Sequence, residues 1–201
     1  MRVEKLPPLV GIGARSVPAE TARRVGDVVA HRYSGAFRSQ PITVTEEVVA
    51  REGDVLVVDF TVEQGDSERT LRARLDAATE RVLRVSHLVG NKETPGRLSE
   101  LDALMAEIAF APDTNDGKVS SKSETCLVGP RELDCELTKY NVFVDSQPAT
   151  LAVSRASELA RDVSGEVTAV DGTVLYRAEL LDVRRAPSVA ATSARLETRE
   201  K

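Results

Sequence analysis

Alternation of apolar and polar residues with a period of two is the feature that most constrains the fold of this chain. In the stretch Asp54–Val62 every second residue is apolar and would lie on one face of a strand: Leu56, Val58, Phe60 and Val62. Such a pattern is typical of a strand with one face in a protein core and the other in water.

The same alternation recurs along most of the chain and predicts an antiparallel meander. Further strands are predicted at Asp27–Tyr33, Ile42–Val49, Leu71–Leu75, Arg81–Leu88, Ala149–Val153, Val167–Val170 and Thr173–Leu181. The links between them are short, which favours antiparallel pairing of chain neighbours. Asp171-Gly172, between the last two, is a signal for a type I′ hairpin.

One segment has helical periodicity instead, and it predicts a helix over 95–109. Thr94 would be the N-cap and Pro95 the first helical residue. The apolar stripe of this helix should press on the sheet and meet Leu56, Val58 and Phe60 in a dry core. The stripe consists of Leu98, Leu101, Leu104, Met105 and Ile108. The predicted fold is therefore mainly β (α+β), a curved sheet or half-barrel of eight to ten antiparallel strands with one packed helix.

The composition of the chain indicates where its folded domain lies and which functions are unfavourable. The 201 residues, 41% of them hydrophobic, are enough for one core, which we place in a single β-rich domain over 25–185. Residues 1–24 are predicted to be an extended N-terminal arm and residues 186–201 a disordered C-terminal tail. A net charge of −5 and an aromatic content of 3% argue against a nucleic-acid binder. No apolar run approaches the length of a transmembrane span.

The two cysteines stand in the sequence CLVGPRELDC, from Cys126 to Cys135. Gly129–Glu132 reads as a β-turn with Pro130 at its second position. If Pro130 and Arg131 form the loop of a hairpin, Cys126 and Cys135 lie directly opposite each other in a non-hydrogen-bonded pair. The Cα atoms of such a pair approach to about 4.5 Å, within the range that a disulfide requires.

The alternatives to a disulfide are a metal site, a redox pair and two reduced cysteines. A metal site needs more ligands than the sequence places nearby, and a redox pair would favour C-x-x-C spacing. The third alternative is a pair of reduced cysteines in a cytosolic core, where disulfides are rare. No export signal is visible at Met1–Pro8, so the chain is either cytoplasmic or a mature domain whose leader was removed. The hairpin geometry favours the disulfide, and with it an extracytoplasmic location.

Two segments of the sequence, one of them the cysteine hairpin, resemble segments of known proteins. The segments ETCLVGPRELDC and DGTVLYRAEL are similar to segments of uncharacterised lipoprotein domains of the bacterial envelope. In outline, the order of strands and helix resembles the half-barrel domains of envelope lipoproteins and lipoprotein carriers. The resemblance covers most of residues 25–185. It implies a place in the periplasm or cell envelope, with a lipid anchor on a removed leader as one form of attachment.

Candidate chemical groups are few. His31 and His87 could each act as a general base, but no nucleophile is tied to either by a local motif, so both are interpreted as structural. A polar cluster matches part of a calcium loop, with ligands at Asp113, Asn115, Asp116 and Glu124. Its glycine, Gly117, falls one position early, which favours an ordinary loop with weak cation affinity.

These features favour a non-catalytic binding or structural module of the cell envelope. The expected partner is an unidentified protein, and no cofactor is expected. A carrier of an apolar ligand (lipid or lipoprotein) is the main alternative, and a hydrolase is a second one. The scarcity of aromatic residues favours a solid core over a lipid pocket.

Overall fold

Eleven strands and one α-helix make up the part of the chain that the computed structural model describes, residues 23–159 and 161–186. The strands are β1 (Val28–Ser34), β2 (Ile42–Glu52), β3 (Val55–Gln64), β4 (Ser67–Asp76), β5 (Val82–Val89), β6 (Lys92–Pro95), β7 (Thr114–Val128), β8 (Arg131–Val144), β9 (Gln147–Ala156), β10 (Arg161–Ala169) and β11 (Val174–Arg184). The helix, α1 (Leu98–Ile108), lies between β6 and β7. The predicted antiparallel meander with one helix is confirmed. The predictions for the arm and the tail fall almost wholly outside the described residues.

All eleven strands belong to one sheet, in which every pair but one joins chain neighbours. The order is β6-β5-β4-β3-β2-β1-β11-β10-β9-β8-β7. The exception is at the centre, where β1 pairs with β11 and Val28 lies opposite Arg184. The sheet therefore consists of two wings, β1–β6 and β7–β11, joined along this central pair. We refer to it below as the seam.

The sheet is curved and does not close, and the length of the link between its edges explains why it curves. Strands β6 and β7 form opposite edges, and residues 96–113 join them. Eleven strands side by side would span about 48 Å if flat. The link reaches only about 40 Å, because its helical part rises about 1.5 Å per residue. The edges must therefore approach each other, with α1 on the hollow side.

The main core lies between α1 and both wings. Buried side chains of the helix join apolar side chains from strands of the two wings, and Val58, Phe60, Ala73, Val167 and Tyr176 lose all contact with water. A smaller core lies by the cysteine hairpin, and its members are Val128, Leu133, Cys135, Ala156, Val163, Leu180 and Val183.

Helix α1 begins three residues later than predicted. Thr94 and Pro95 belong to β6, and the helix starts at Leu98 with Arg97 as its N-cap. The Glu100 carboxylate accepts a hydrogen bond from the Arg97 backbone N–H (3.2 Å) and so satisfies one N–H at this end. Because of this later start Leu98 lies in the first turn and is 48% exposed, so its predicted place in the core is wrong.

The C-terminal end of α1 is held by side chains from elsewhere in the fold. The buried Tyr176 hydroxyl donates to the Ile108 carbonyl (3.0 Å), and the Arg38 guanidinium donates to the Glu107 carbonyl (2.5 Å). Both bonds satisfy carbonyls that have no partner within the helix, and the positive charge suits the negative end of its dipole. The helix is thereby fixed to β11, at the seam.

The last hairpin is confirmed, but its turn differs from the predicted two-residue type. Strands β10 and β11 are joined by residues 170–173, and the Gly172 N–H donates to the Ala169 carbonyl (3.0 Å). Gly172 has φ +87°, a conformation that glycine adopts without steric cost. The connection is thus a four-residue loop with a left-handed glycine at its third position.

Candidate functional site

The cysteine hairpin joins β7 and β8 through Gly129 and Pro130, one residue earlier than predicted. Val128 pairs with Arg131, which makes Gly129 and Pro130 the two central residues. Gly129 has φ +57°, as the first central residue of a type II′ turn requires. Gly-Pro therefore supplies a hairpin turn that fits the twist of the two strands.

The earlier turn changes how the cysteines face each other, but they still form a disulfide. Cys126 pairs with Leu133, and Cys135 pairs with Glu124, so the predicted direct opposition is wrong. The cysteines are diagonal neighbours with Cα atoms 6.0 Å apart, and they are bonded to each other. Cys135 is buried in the smaller core, so the disulfide joins the outermost strand, β7, to packed residues.

Strand β7 is the free edge of the sheet on this side. It is fifteen residues long, and among the strands of residues 23–159 and 161–186 it pairs with β8 alone. Its ladder is interrupted at Asn115/Gly117 and at Lys118/Ser120 and then runs without interruption from Ser120 to Val128. Two apolar side chains stand out in water along it, Val119 (58% exposed) and Leu127 (68% exposed). An edge of this length offers unpaired N–H and C=O groups to another chain.

An open polar groove of about 730 Å³ adjoins this edge. Three consecutive residues of β7 and three of β8 line it, together with Arg155 and Ser157: Ser123, Glu124, Thr125, Asp134, Cys135 and Glu136. By the strand register the Asp134 and Glu136 carboxylates lie on the same face as the Arg155 guanidinium, which pairs with Asp162 (3.5 Å), whereas Glu124 lies on the opposite face. The Lys118 ammonium is 3.7 Å from the Glu136 carboxylate. Charged groups of both signs therefore line the groove.

The four residues of the predicted calcium loop are not brought together. Asn115 and Glu124 are nine residues apart on the extended strand β7, which separates them by roughly 25–30 Å. The Asp113 carboxylate accepts from the Ser146 N–H (3.0 Å), and the Asn115 side chain accepts from the Gly117 N–H (2.9 Å). Asp116 follows Asn115 in the strand. The segment was expected to be a loop, and from Thr114 onward it is a strand instead.

The two histidines lie in different surroundings and do not form one site. His31 is on β1 and His87 is on β5, with three strands between them. His31 is 8% exposed on β1, between Val44 of β2 and Leu180 of β11. Burial, together with the charge of Arg161, lowers the pKa of His31 to about 4. His87, on β5, is half-exposed and its Nε2 lies 2.8 Å from the Glu100 carboxylate at the start of α1. Among the described residues no group of three His, Cys, Asp or Glu side chains is placed to hold a metal ion.

The sequence identified the disulfide but not the free edge beside it. Residues Ser120–Thr125 are polar on both faces, so they show no alternation of the kind that reveals a half-buried strand. The available signal was the run of Ser, Lys and Thr next to a cysteine strand, since polar and charged side chains are common on edge strands.

Protein prepared under oxidising conditions and then denatured without reductant should contain essentially no free thiol. The chain has only Cys126 and Cys135, and both are taken up by one bond. Thiol titration with a chromogenic disulfide reagent measures this directly, and the same protein treated with reductant serves as the control. Two free thiols in the untreated sample would contradict the pairing.

Comparisons with known proteins give structural likenesses only. No protein-family model and no curated protein sequence matches the chain. A hypothetical protein, CT021 of Chlamydia trachomatis, is 11% identical with a TM-score of 0.42, over 85% of this chain and 92% of that one. A putative exported protein with a YmcC-like fold from Bacteroides fragilis is 9% identical with a TM-score of 0.38, over 82% and 98%.

A third likeness is to a chain of the MucA/MucB complex of Pseudomonas aeruginosa. It is 14% identical with a TM-score of 0.42, over 86% of this chain and 56% of that one. This chain thus corresponds to little more than half of that longer protein. At such identities and TM-scores none of these likenesses carries an inference about function.

Proposed function

We propose that this protein is a non-catalytic binding module that works outside the cytoplasm and binds an extended polypeptide along β7. The observation that carries the proposal is the free, regular and disulfide-fixed edge from Ser120 to Leu127. Main-chain hydrogen bonds to such an edge give affinity, and side-chain contacts on either side give selectivity. The Asp134 and Glu136 carboxylates on one face beside it suit a partner segment with cationic side chains.

The disulfide supports a location in an oxidising compartment. Disulfides persist outside the cytoplasm and are rare within it, where thiols are kept reduced. In the chain-entropy model a bond that closes a loop of about ten residues stabilises a fold by roughly 2–3 kcal/mol. Its effect here is local, because it joins edge strand β7 to the buried Cys135. It therefore keeps the binding edge in place, as a module that presents an edge strand requires.

The placement of the histidines supports a role without catalysis. His31 is buried between two strands, where no substrate can reach its ring. The Nε2 of His87 is paired with the Glu100 carboxylate, which also receives the N–H of the helix N-cap. Each ring thus has a structural explanation. The helix fills the hollow side with Leu101, Leu104 and Ile108, which favours the solid module over the apolar carrier.

Site-specific photo-cross-linking tests the binding edge. A benzophenone side chain at Ser123 should capture a polypeptide in cells that export the protein, because Ser123 lies on the free edge. The matched control is Lys139 of β8, an exposed residue whose strand pairs with β7 on one side and β9 on the other. Equal adducts from both positions, or none from Ser123, would count against the proposal.

A further inference from the structure

The outer edge of β7 presents backbone groups at alternate residues. In a two-residue hairpin the closing pair, here Val128 with Arg131, is hydrogen-bonded, and hydrogen-bonded and non-hydrogen-bonded pairs then alternate. By that alternation Ser121, Ser123 and Thr125 direct their N–H and C=O groups away from β8. The register is uninterrupted from Ser120 to Val128, so the alternation holds throughout this stretch.

We propose that the polypeptide bound by this edge is a second copy of the same chain. The two β7 strands pair antiparallel about a two-fold axis, with Ser123 opposite Ser123 of the second copy. The inference rests on the proposed function, since it names the partner of the same edge. The pairs Ser123–Ser123, Ser121–Thr125 and Thr125–Ser121 would together make about six main-chain hydrogen bonds between the copies.

The charges on this strand are complementary to themselves about Ser123. Lys122 and Glu124 flank Ser123, so each lies opposite the other when two copies pair about that residue. In the single chain the Lys122 side chain is 65% exposed and its Nζ lies 3.7 Å from the Glu124 carboxylate of the same strand. That carboxylate also accepts a hydrogen bond from the Ser154 hydroxyl (2.6 Å). Lys122–Glu124 would be a non-hydrogen-bonded pair, the kind in which side chains approach most closely. The dimer contains this pair twice.

The same charges disfavour the neighbouring registers. The hydrogen-bonding alternation allows the strands to slip only in steps that keep outward-facing residues opposite each other. A shift of one strand by two residues in one direction places Lys122 opposite Lys122. The same shift in the other direction places Glu124 opposite Glu124. Like charges directly opposite each other in a sheet are destabilising. Pairing about Ser123 is therefore favoured over both neighbours.

The apolar side chains at the ends of the stretch fit the same arrangement. Val119 and Leu127 are each four residues from Ser123 and are both exposed to water in the single chain. In the dimer each Leu127 would lie at the end of the regular stretch nearest Val119 of the other copy, on the face of the sheet opposite Lys122 and Glu124. The interruption of the ladder at Lys118/Ser120 ends the regular stretch at this point.

The other edge of the sheet explains why pairing would stop at two copies. Strand β6 has only four residues and ends at Pro95, which has no N–H to donate. Short strands and prolines are features by which sheet edges avoid further pairing. An isologous contact between two β7 strands uses the long edge of both copies, so the assembly closes as a dimer.

Cysteine cross-linking tests the register. In a Ser123→Cys variant the two introduced residues would lie opposite each other with Cα atoms about 5.5 Å apart, within disulfide range. Mild oxidation should convert most of this variant to a covalent dimer on a non-reducing gel. In the matched variant, Ser121→Cys, the two introduced residues would be about 15 Å apart and should not cross-link. Equal cross-linking of both variants, or none of Ser123→Cys, would overturn the register.

Charge exchange tests the pairing of Lys122 with Glu124. By sedimentation equilibrium the wild-type protein should dimerise, and Lys122→Glu should raise the dimer Kd on the order of tenfold, because two attractive pairs become repulsive. The double variant Lys122→Glu/Glu124→Lys restores opposite charges and should return the Kd to within about threefold of wild type. A wild-type protein that stays monomeric at every concentration, or a double variant no tighter than the single one, would contradict the proposal.

The two proposals fail in different ways. If Ser123 cross-links to another polypeptide while the purified protein stays monomeric, the edge binds a different partner and the second copy is wrong. If Ser123 captures nothing and the protein stays monomeric, the binding edge itself is wrong.

Discussion

Replacing Leu101 with alanine should lower the free energy of unfolding by about 2–5 kcal/mol. Leu101 is 2% exposed and belongs to the main core, together with Leu104 and Ile108 of the same helix. Truncation would remove buried methyl groups and leave a cavity that the packed sheet cannot close. Urea unfolding monitored by circular dichroism measures the loss.

Leu98→Ala provides the control for this truncation, since the residue type and the helix are the same. Leu98 is 48% exposed, so its truncation should change the stability by less than about 0.5 kcal/mol. A mild effect at Leu101, together with saturable binding of a fluorescent fatty acid that unlabelled lipid competes, would favour the apolar carrier over the solid module.

Lowering the pH from 7 to 5 should destabilise the protein through His31 by about 2 kcal/mol. In the unfolded chain this histidine titrates near 6.5, whereas in the fold burial and the charge of Arg161 lower its pKa to about 4. Between these two values the unfolded chain binds more protons than the folded one. The stabilisation is therefore complete above pH 6.5 and is lost progressively as the pH falls toward 4.

A His31→Gln variant isolates this contribution from that of the carboxylates. The change in free energy of unfolding between pH 7 and pH 5 should be smaller in the variant by about 2 kcal/mol, because glutamine does not titrate. Chemical denaturation of both proteins at each pH gives the comparison. An identical pH dependence in the two proteins would show that His31 is accessible to protons in the fold.

The strands that the sequence predicted correctly are those with one face in the core. Val58, Phe60 and Val62 are buried and alternate with the less buried Asp59 and Thr61, and that burial is the cause of the pattern. The first half of β7 was missed, because Ser120–Ser123 are exposed on both faces and the backbone pairing with β8 holds them in place. Hydrogen bonds between main chains leave no signature in a sequence.

Two boundary errors arose where one local signal outweighed another. Thr94 and Pro95 are typical of a helix start, but they pair with His87 and Ser86 of β5, so the helix begins only after Gly96 and Arg97. Pro130 suggested a turn centred on Pro130 and Arg131. Gly129, with its positive φ, places the turn one residue earlier.

The candidate site could be predicted only in part. The disulfide depends on two cysteines close in sequence, and local reasoning found it despite the wrong register. The free edge depends on the order of strands across the sheet, which is set by the pairing of β1 with β11. That pairing joins opposite ends of the described chain, and no local pattern specifies it. The sequence therefore predicted the disulfide but not the free edge of β7 that the disulfide stabilises.

The seam has a consequence for the kinetics of folding. Every pairing within a wing joins strands that follow one another along the chain, so each wing can form by successive hairpins with small losses of loop entropy. The β1–β11 pair has to bring together residues as distant as Val28 and Arg184. It is the costliest contact to close, and mutations at the seam should slow folding, whereas mutations at the outer strands should mainly speed unfolding.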